Sequence, residues 1–251
     1  MMDKIEMMAV VKGYLADFLE CETEIFEQRG LVFHNAGKRA ERYQNPFFQV
    51  ISLGETIVAA VSPSVRPIAK KLLTGKSREE IFECPLLYGQ SIYYIPDAKQ
   101  NRRTELLPGY TYRELEGDAL GQLLGIKGFD NSLMFDERGR TGTHIVFYAE
   151  RNGEIAGLAG ASIESDRVWE IGVDVMEKYR KGGLASVLVN HLMHDILERD
   201  ILPIYCAASS NAASQAAAFR AGFQPCWIST YKNILDGSSG YDELVRRLYA
   251  E

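Results

Sequence analysis

The sequence predicts an α/β fold in two parts, and three stretches carry that reading. "THIVFYAERNGEIAGLAGASIES", Thr143 to Ser165, places apolar and small residues on either side of Asn152-Gly153, a pair favoured in tight hairpin turns. "EIGVDVMEKYRKGGLASVL", Glu170 to Leu188, passes from a strand pattern through two glycines into a helical one. "PDAKQNRRTELLPG", Pro96 to Gly109, loses periodicity while gaining charge and proline. It puts a boundary near residue 105, between a smaller amino-terminal α/β domain, residues 1–105, and a second domain, residues 106–251.

In chain order, residues 3–28 space Ile5, Met8, Val11, Leu15, Phe18, Leu19 and Phe26 as on an amphipathic helix, broken near Cys21. "PFFQVISLGETIVAAVS" reads as strand, glycine turn and strand. "VRPIAKKLL" is a helix opened by proline, and "SREEIF" carries a capping box, Ser77 with Glu80. "SIYYI" is a strand, "TYRELEGDALGQLLGI" a helix, the hairpin follows, and "RVWEIGVDVM" is a further strand. Leu184, Val187, Leu188, Leu192, Met193 and Ile196 then make one helical face. "LPIYCAA" is a short strand, "NAASQAAAFRAGF" a helix closed by Gly222, and "FQPCWISTY" a last strand.

Composition narrows the function. With 46% hydrophobic and 25% charged residues the chain has enough apolar side chain for a sizeable core. A net charge of −6 argues against a nucleic-acid-binding surface, so an anionic ligand must be held locally. No run approaches the roughly 18 apolar residues of a membrane span, and the amino terminus lacks a secretory pattern. Cys21, Cys84, Cys206 and Cys226 form no C-x-x-C pair, so neither zinc nor a disulfide framework is indicated and a reducing cytoplasm fits. No internal repeat is evident.

The centre of the second stretch is Tyr179-Arg180-Lys181-Gly182-Gly183-Leu184-Ala185. A strand that turns through glycines into a helix leaves unpaired N–H groups pointing together at the positive end of the helix dipole, which suits phosphate. Glycines let an anion approach the main chain, and Arg180 and Lys181 add charge. Neither G-x-x-x-x-G-K-[ST] nor G-x-G-x-x-G is present, which weakens nucleotide hydrolase and dinucleotide readings. The spacing present is Arg180-x-x-Gly183-x-Ala185. With "NAASQAAAFRAGF" one helix and one strand downstream, it resembles the GNAT superfamily of acyl-CoA-dependent N-acyltransferases, over roughly residues 106–235.

That resemblance implies a GNAT-like mixed, mostly antiparallel sheet flanked by helices, preceded by the smaller α/β domain. It implies acetyl-CoA as cosubstrate and no metal. The cofactor's diphosphate would rest on the amides of Arg180, Lys181, Gly182, Gly183, Leu184 and Ala185. Its pantetheine arm would pair with the strand around Val173 and Val175, and Asn211 and Ser214 match positions that hydrogen-bond it. Many members place a tyrosine four residues before the glycine of Gly-Phe to protonate the departing thiolate; here that residue is Ala218, followed by Phe219. Tyr231 is the candidate substitute, with packing at a strand end as its alternative.

Acyl transfer to an amine needs a proton acceptor, an oxyanion site and a leaving group. Alternation in "VWEIGVDV" puts Glu170, Gly172 and Asp174 on one face and Trp169, Ile171, Val173 and Val175 on the other. Glu170 matches the glutamate some GNAT enzymes use as general base; the alternative is a surface carboxylate paired with a cation. Asp174 either shares that chemistry or caps free N–H groups, and the N–H near Val173 is the candidate oxyanion donor. His191 and His194 are expected on the partly exposed side of their helix rather than at a metal, Cys206 and Cys226 in the core, and Arg138-Gly139-Arg140 in a solvated turn. The expectation is a cytoplasmic N-acetyltransferase acting by direct attack of a small-molecule or peptide amine, with no nucleic acid or membrane partner and homodimerisation left open. The rival is a non-catalytic acyl-CoA-binding or regulatory module, and a nucleotide-binding protein using the same loop is a third reading.

Overall fold

The computed structural model describes residues 2–37, 47–84, 87–99, 102–231, 243, 246 and 247. The chain divides into two compact units, Met1–Val10 with Tyr94–Pro225, and Val11–Tyr93 with Cys226–Glu251. Where the sequence suggests one boundary near residue 105, the chain passes between units inside a helix and inside two strands.

The unit containing Tyr94–Pro225 is built on a mixed sheet. Its strands are the end of β4 (Tyr88–Pro96), β5 (Thr111–Glu116), β6 (Thr143–Arg151), β7 (Glu154–Ser165), β8 (Val168–Val175) and β9 (Leu202–Ala208), in the order β4-β9-β8-β7-β6-β5. β5 to β8 pair antiparallel and β8 pairs with β9 in parallel, so the sheet is mixed and mostly antiparallel, as expected. Asn152 and Gly153 both adopt positive φ, 55° and 80°, the backbone of a two-residue hairpin turn.

Residues 111–126 do not form the expected helix. Thr111–Glu116 is the edge strand β5, followed by a 3-10 segment at Gly117–Leu123. Glu, Leu and Arg favour helix locally, but the free edge of β6 supplies hydrogen bonds along Thr111↔Glu150 to Glu116↔Ile145, and this pairing prevails. The charged Arg113 and Glu114 suit a strand with one open edge.

The helix after the glycines, α4 (Leu184–Leu197), packs on one sheet face. A Cβ on Gly157 would meet Leu188 at 3.0 Å and Leu184 and Val175 at 3.1 Å. Leu120, Leu123, Phe129 and Leu133 cover part of the unit's apolar core with Val146 and Leu158 of the sheet. α4 is buried at twelve of its fourteen residues, more than one amphipathic face would give. Thr104 explains part of the excess: its N–H and hydroxyl donate to Asn190 Oδ1, and its carbonyl meets His191 Nε2 at 2.8 Å.

In the other unit, β1 (Gly30–Asn35), β2 (Phe48–Leu53), β3 (Thr56–Val61) and the end of β10 (Phe223–Tyr231) lie in the order β1-β3-β2-β10. The helix α1 (Lys4–Leu19) stops just before Glu20, whose φ is 57°, in accord with the expected break. α2 (Arg66–Leu73) and α3 (Arg78–Phe82) bury Ala69, Leu73 and Ile81 with Val50, Ile57 and Ala59, and Ser77 and Glu80 form the reciprocal cap. No described helix is long and apolar enough to cross a membrane.

Candidate active site

β8 and β9 make an opening by parting. Their ladder runs from Val168↔Leu202 to Ile171↔Tyr205 and ends there, although β8 continues to Val175 and β9 to Ala208. Met176 N–H bonds Ala156 O on the β7 side. Because main-chain groups alternate in direction along a strand, those of Val173 and Val175 face the β9 side, where the ladder has ended. An extended chain can add to such an edge.

At the outer end of β8 the chain turns through Glu177–Tyr179 into the glycine loop. Arg180 is extended, with φ −69°, and Lys181 and Gly183 take positive φ, 66° and 85°, so the chain enters α4 through left-handed backbone. No side chain caps α4. Among the described residues, none of the N–H groups from Lys181 to Ser186 has a protein acceptor, while Val187 N–H returns to Gly183 O at 3.2 Å. A Cβ on Gly182 or Gly183 would meet nothing within 4 Å, so an anion has open access. Arg180 Nε donates to Val175 O at 2.8 Å, which folds that side chain back along the loop; Lys181 stays exposed.

Glu170, Gly172 and Asp174 share the opposite sheet face from Val175, as alternation predicts. Burial, and secondarily the nearby Glu164 charge, pushes the Glu170 carboxyl up to about 7. No hydrogen bond or ion pair joins the Glu170 carboxyl to another described residue, so the surface-ion-pair alternative does not hold within them. Asp174 does cap N–H groups, but those of another loop. Its carboxylate accepts from Asn131 N at 2.9 Å, Ser132 N at 3.0 Å, Ser132 Oγ at 2.8 Å and Asn131 Nδ2 at 2.7 Å. Gly172 and Gly160 are cross-strand partners, and Cβ atoms there would lie 1.9 Å from Asn131 O and 2.0 Å from Ser132 O. Two bare glycines thus let the loop lie flat on the sheet beside Glu170. The sequence reading did not single out Asn131 and Ser132; the aligned glycines of the β7/β8 pair were the available signal.

α5 (Ala212–Ala221) begins with Asn211, whose side chain accepts from Ser214 N at 3.1 Å, and closes at Gly222 with φ 95°. Asn211 Oδ1 therefore serves its own helix, leaving its amide NH2 as the group able to reach a ligand. Ser214 Oγ meets Tyr205 Oη at 2.9 Å. Ala218 is fully buried, whereas Phe219 is exposed and makes an edge contact with Tyr94. Tyr231 closes β10, and its side chain lies outside the described residues.

The histidines correct an expectation. His191 and His194 are buried, not partly exposed. His191 stacks on Phe147 at 5.3 Å and is held at Thr104 O, and burial lowers the His194 pKa. Among the described residues no group of three or more His, Cys, Asp or Glu is placed to hold a metal. Cys206 and Cys226 are partly buried rather than core thiols. The Arg138–Arg140 turn is exposed, with Asp136 accepting from Arg138 N and Arg140 N, both at 2.9 Å.

The parted strands and the free amides at the opening of α4 together leave a place on this sheet where an anionic, extended ligand can lie. Residues 109–223 match the model of the acetyltransferase (GNAT) family, which supports membership of the GNAT superfamily. No curated protein sequence matches it. Among solved structures it is similar to a GCN5-related N-acetyltransferase-like protein from Streptococcus suis, at 15% identity over 91% of this chain and 99% of that one, TM-score 0.47. It is also similar to a GNAT-family protein from Novosphingobium aromaticivorans at 18% identity over 57% of this chain, TM-score 0.41, spanning 63% of that protein's length. A tandem GNAT protein from the clavulanic acid biosynthesis pathway matches at 14% identity over 79% of this chain and 67% of that one, TM-score 0.44.

Proposed function

We propose that the chain is a cytoplasmic N-acyltransferase that moves the acetyl group of acetyl-CoA onto an amine by direct attack. The observation that carries this reading is the set of unpartnered amides from Lys181 to Ser186, lying directly beyond the unpaired half of β8. The amides hold the diphosphate, the edge at Val173 and Val175 pairs with the pantetheine arm, and the Asn211 amide group and the α5 opening flank it. The Val173 N–H faces the thioester carbonyl and meets the developing oxyanion.

Glu170 accepts the proton of the attacking amine. A carboxylate with a pKa of about 7 is a stronger base than an ordinary one, yet largely ionised just above neutrality. The Asn131-Ser132 loop, clamped by Asp174, walls the same face, so the amine reaches Glu170 beside a fixed surface. With Glu164 near by and a net charge of −6, the face favours a small-molecule or peptide amine that is neutral or cationic elsewhere.

The burial of Ala218, where a phenol is common in the family, favours a second reading as an acyl-CoA-binding module without turnover. The separating experiment is release of free thiol from acetyl-CoA over a broad panel of primary amines, alongside binding of CoA. Binding with amine-dependent thiol release supports the transferase. Binding without release for any amine supports the module, and loop occupancy by ATP but not CoA overturns both.

A further inference from the structure

The reaction needs a proton for the departing sulfur, and the helix position where many family members carry a tyrosine is here Ala218, which is buried and has no proton to give. The structure supplies a hydroxyl from a different element. Tyr205 stands at the last rung of the β8/β9 ladder, opposite Ile171, where the two strands part. An acyl arm entering between the strands has its reactive end at that vertex. The Tyr205 side chain is buried, and its hydroxyl lies 2.9 Å from Ser214 Oγ, so the phenol reaches the first turn of α5 on the same helix that carries Ala218.

Resting on the acyl-CoA reading, we propose that Tyr205 is the proton donor to the departing thiolate, and that Ser214 is its positioning residue. When Ser214 donates to the phenolic oxygen, the Tyr205 proton is free to point at sulfur. As the carbon–sulfur bond breaks, its electron pair goes to sulfur, the phenol proton follows, and the phenolate is held by the Ser214 hydroxyl until solvent reprotonates it. The amine's own proton leaves separately to Glu170, so charge and protons balance with no further reactant. Burial raises the Tyr205 pKa and keeps the phenol protonated before bond breaking. The other buried phenol near by, Tyr94, is on β4, and β9 separates β4 from β8. Tyr94 makes edge contacts with Phe219 at 5.6 Å and with Tyr205 itself at 6.5 Å.

The test uses CoA itself and needs no acceptor. A phenol that donates to the sulfur stabilises the thiolate and lowers the thiol pKa of bound CoA. Ultraviolet titration of the thiolate in the complex is expected to give a pKa about one unit higher in Tyr205→Phe than in the parent chain. Ser214→Ala should show a smaller rise, and 3-fluorotyrosine at position 205, a stronger donor, a fall. Equal thiol pKa values in the parent and Tyr205→Phe, at unchanged CoA affinity, overturn the proposal. If Tyr205→Phe fails to fold or to bind CoA, the fluorotyrosine protein decides: a lowered pKa supports the proposal and an unchanged one overturns it. Failure of the parent chain to bind CoA at all would instead overturn the acyl-CoA reading.

Discussion

Glu170 carries two opposed consequences of one environment. Its carboxyl is raised from 4.5 to about 7 by burial, so the folded state holds a proton that the unfolded chain releases. Between about pH 4.5 and 7 the native state binds more protons, and stability therefore falls as pH rises through that window. Glu170→Gln removes this loss and is expected to raise stability at pH 8 by about 3 kcal/mol relative to its effect at pH 4, measured by denaturant unfolding. The same change should lower kcat/KM by roughly 10²-fold or more and abolish the rise in rate centred near pH 7. Alternation in "VWEIGVDV" was enough to find this face. It could not divide labour between the two carboxylates, because the partner that occupies Asp174 is a loop some forty residues earlier, with Asn131 and Ser132 joined to it across 43 and 42 positions. Tyr205 was hidden for a similar reason. Its place is defined by where a strand ladder stops, and a one-dimensional pattern does not record that.

At the scale of elements, the close approach of a loop to paired glycines makes a sharp prediction. Gly172→Ala puts a methyl group 1.9 Å from Asn131 O, a distance no side-chain rotation can relieve. The loop must lift, at an expected cost of about 1–3 kcal/mol. Steady-state kinetics should show an increased KM for the amine, while the affinity for CoA, measured by calorimetry, stays within about twofold because the free amides lie on another element. Asn190→Leu tests the unexpected burial of α4. It strands the Thr104 N–H, the Arg102 carbonyl and the Ala221 carbonyl, and should destabilise by about 2–4 kcal/mol in thermal unfolding. The hairpin, the capping box and the strand–glycine–helix passage were legible because each is fixed by local backbone chemistry. The 111–126 segment was not, since its helix-favouring residues are recruited as an edge by β6. The back of α4 was not legible because His191 and His194 look like solvent-facing residues until the 102–104 segment brings carbonyls to them.

For the whole molecule, the GNAT landmarks were legible because they lie in order within residues 109–223, the stretch that matches the family model. The sequence did not reveal that compact units exchange chain within strands. The carboxy-terminal end of β10 pairs with β2 through Trp227↔Leu53 to Ser229↔Ile51, a partnership across some 175 residues that no local signal announces. A ligand held only by the folded loop must stabilise it by mass action. CoA at about 100 times its Kd should therefore contribute about 2.7 kcal/mol and raise the Tm of the unit bearing that loop, as read by calorimetry. Pantetheine, which lacks the diphosphate, should do so only weakly. The most direct measurement is calorimetric titration of the full chain with CoA, beside a Gly183→Val variant whose β-branched side chain resists the φ of 85° that this position requires. The account predicts saturable binding by the parent chain and affinity at least about tenfold weaker in the variant. Equal affinity in both chains, or no binding in either, would contradict it.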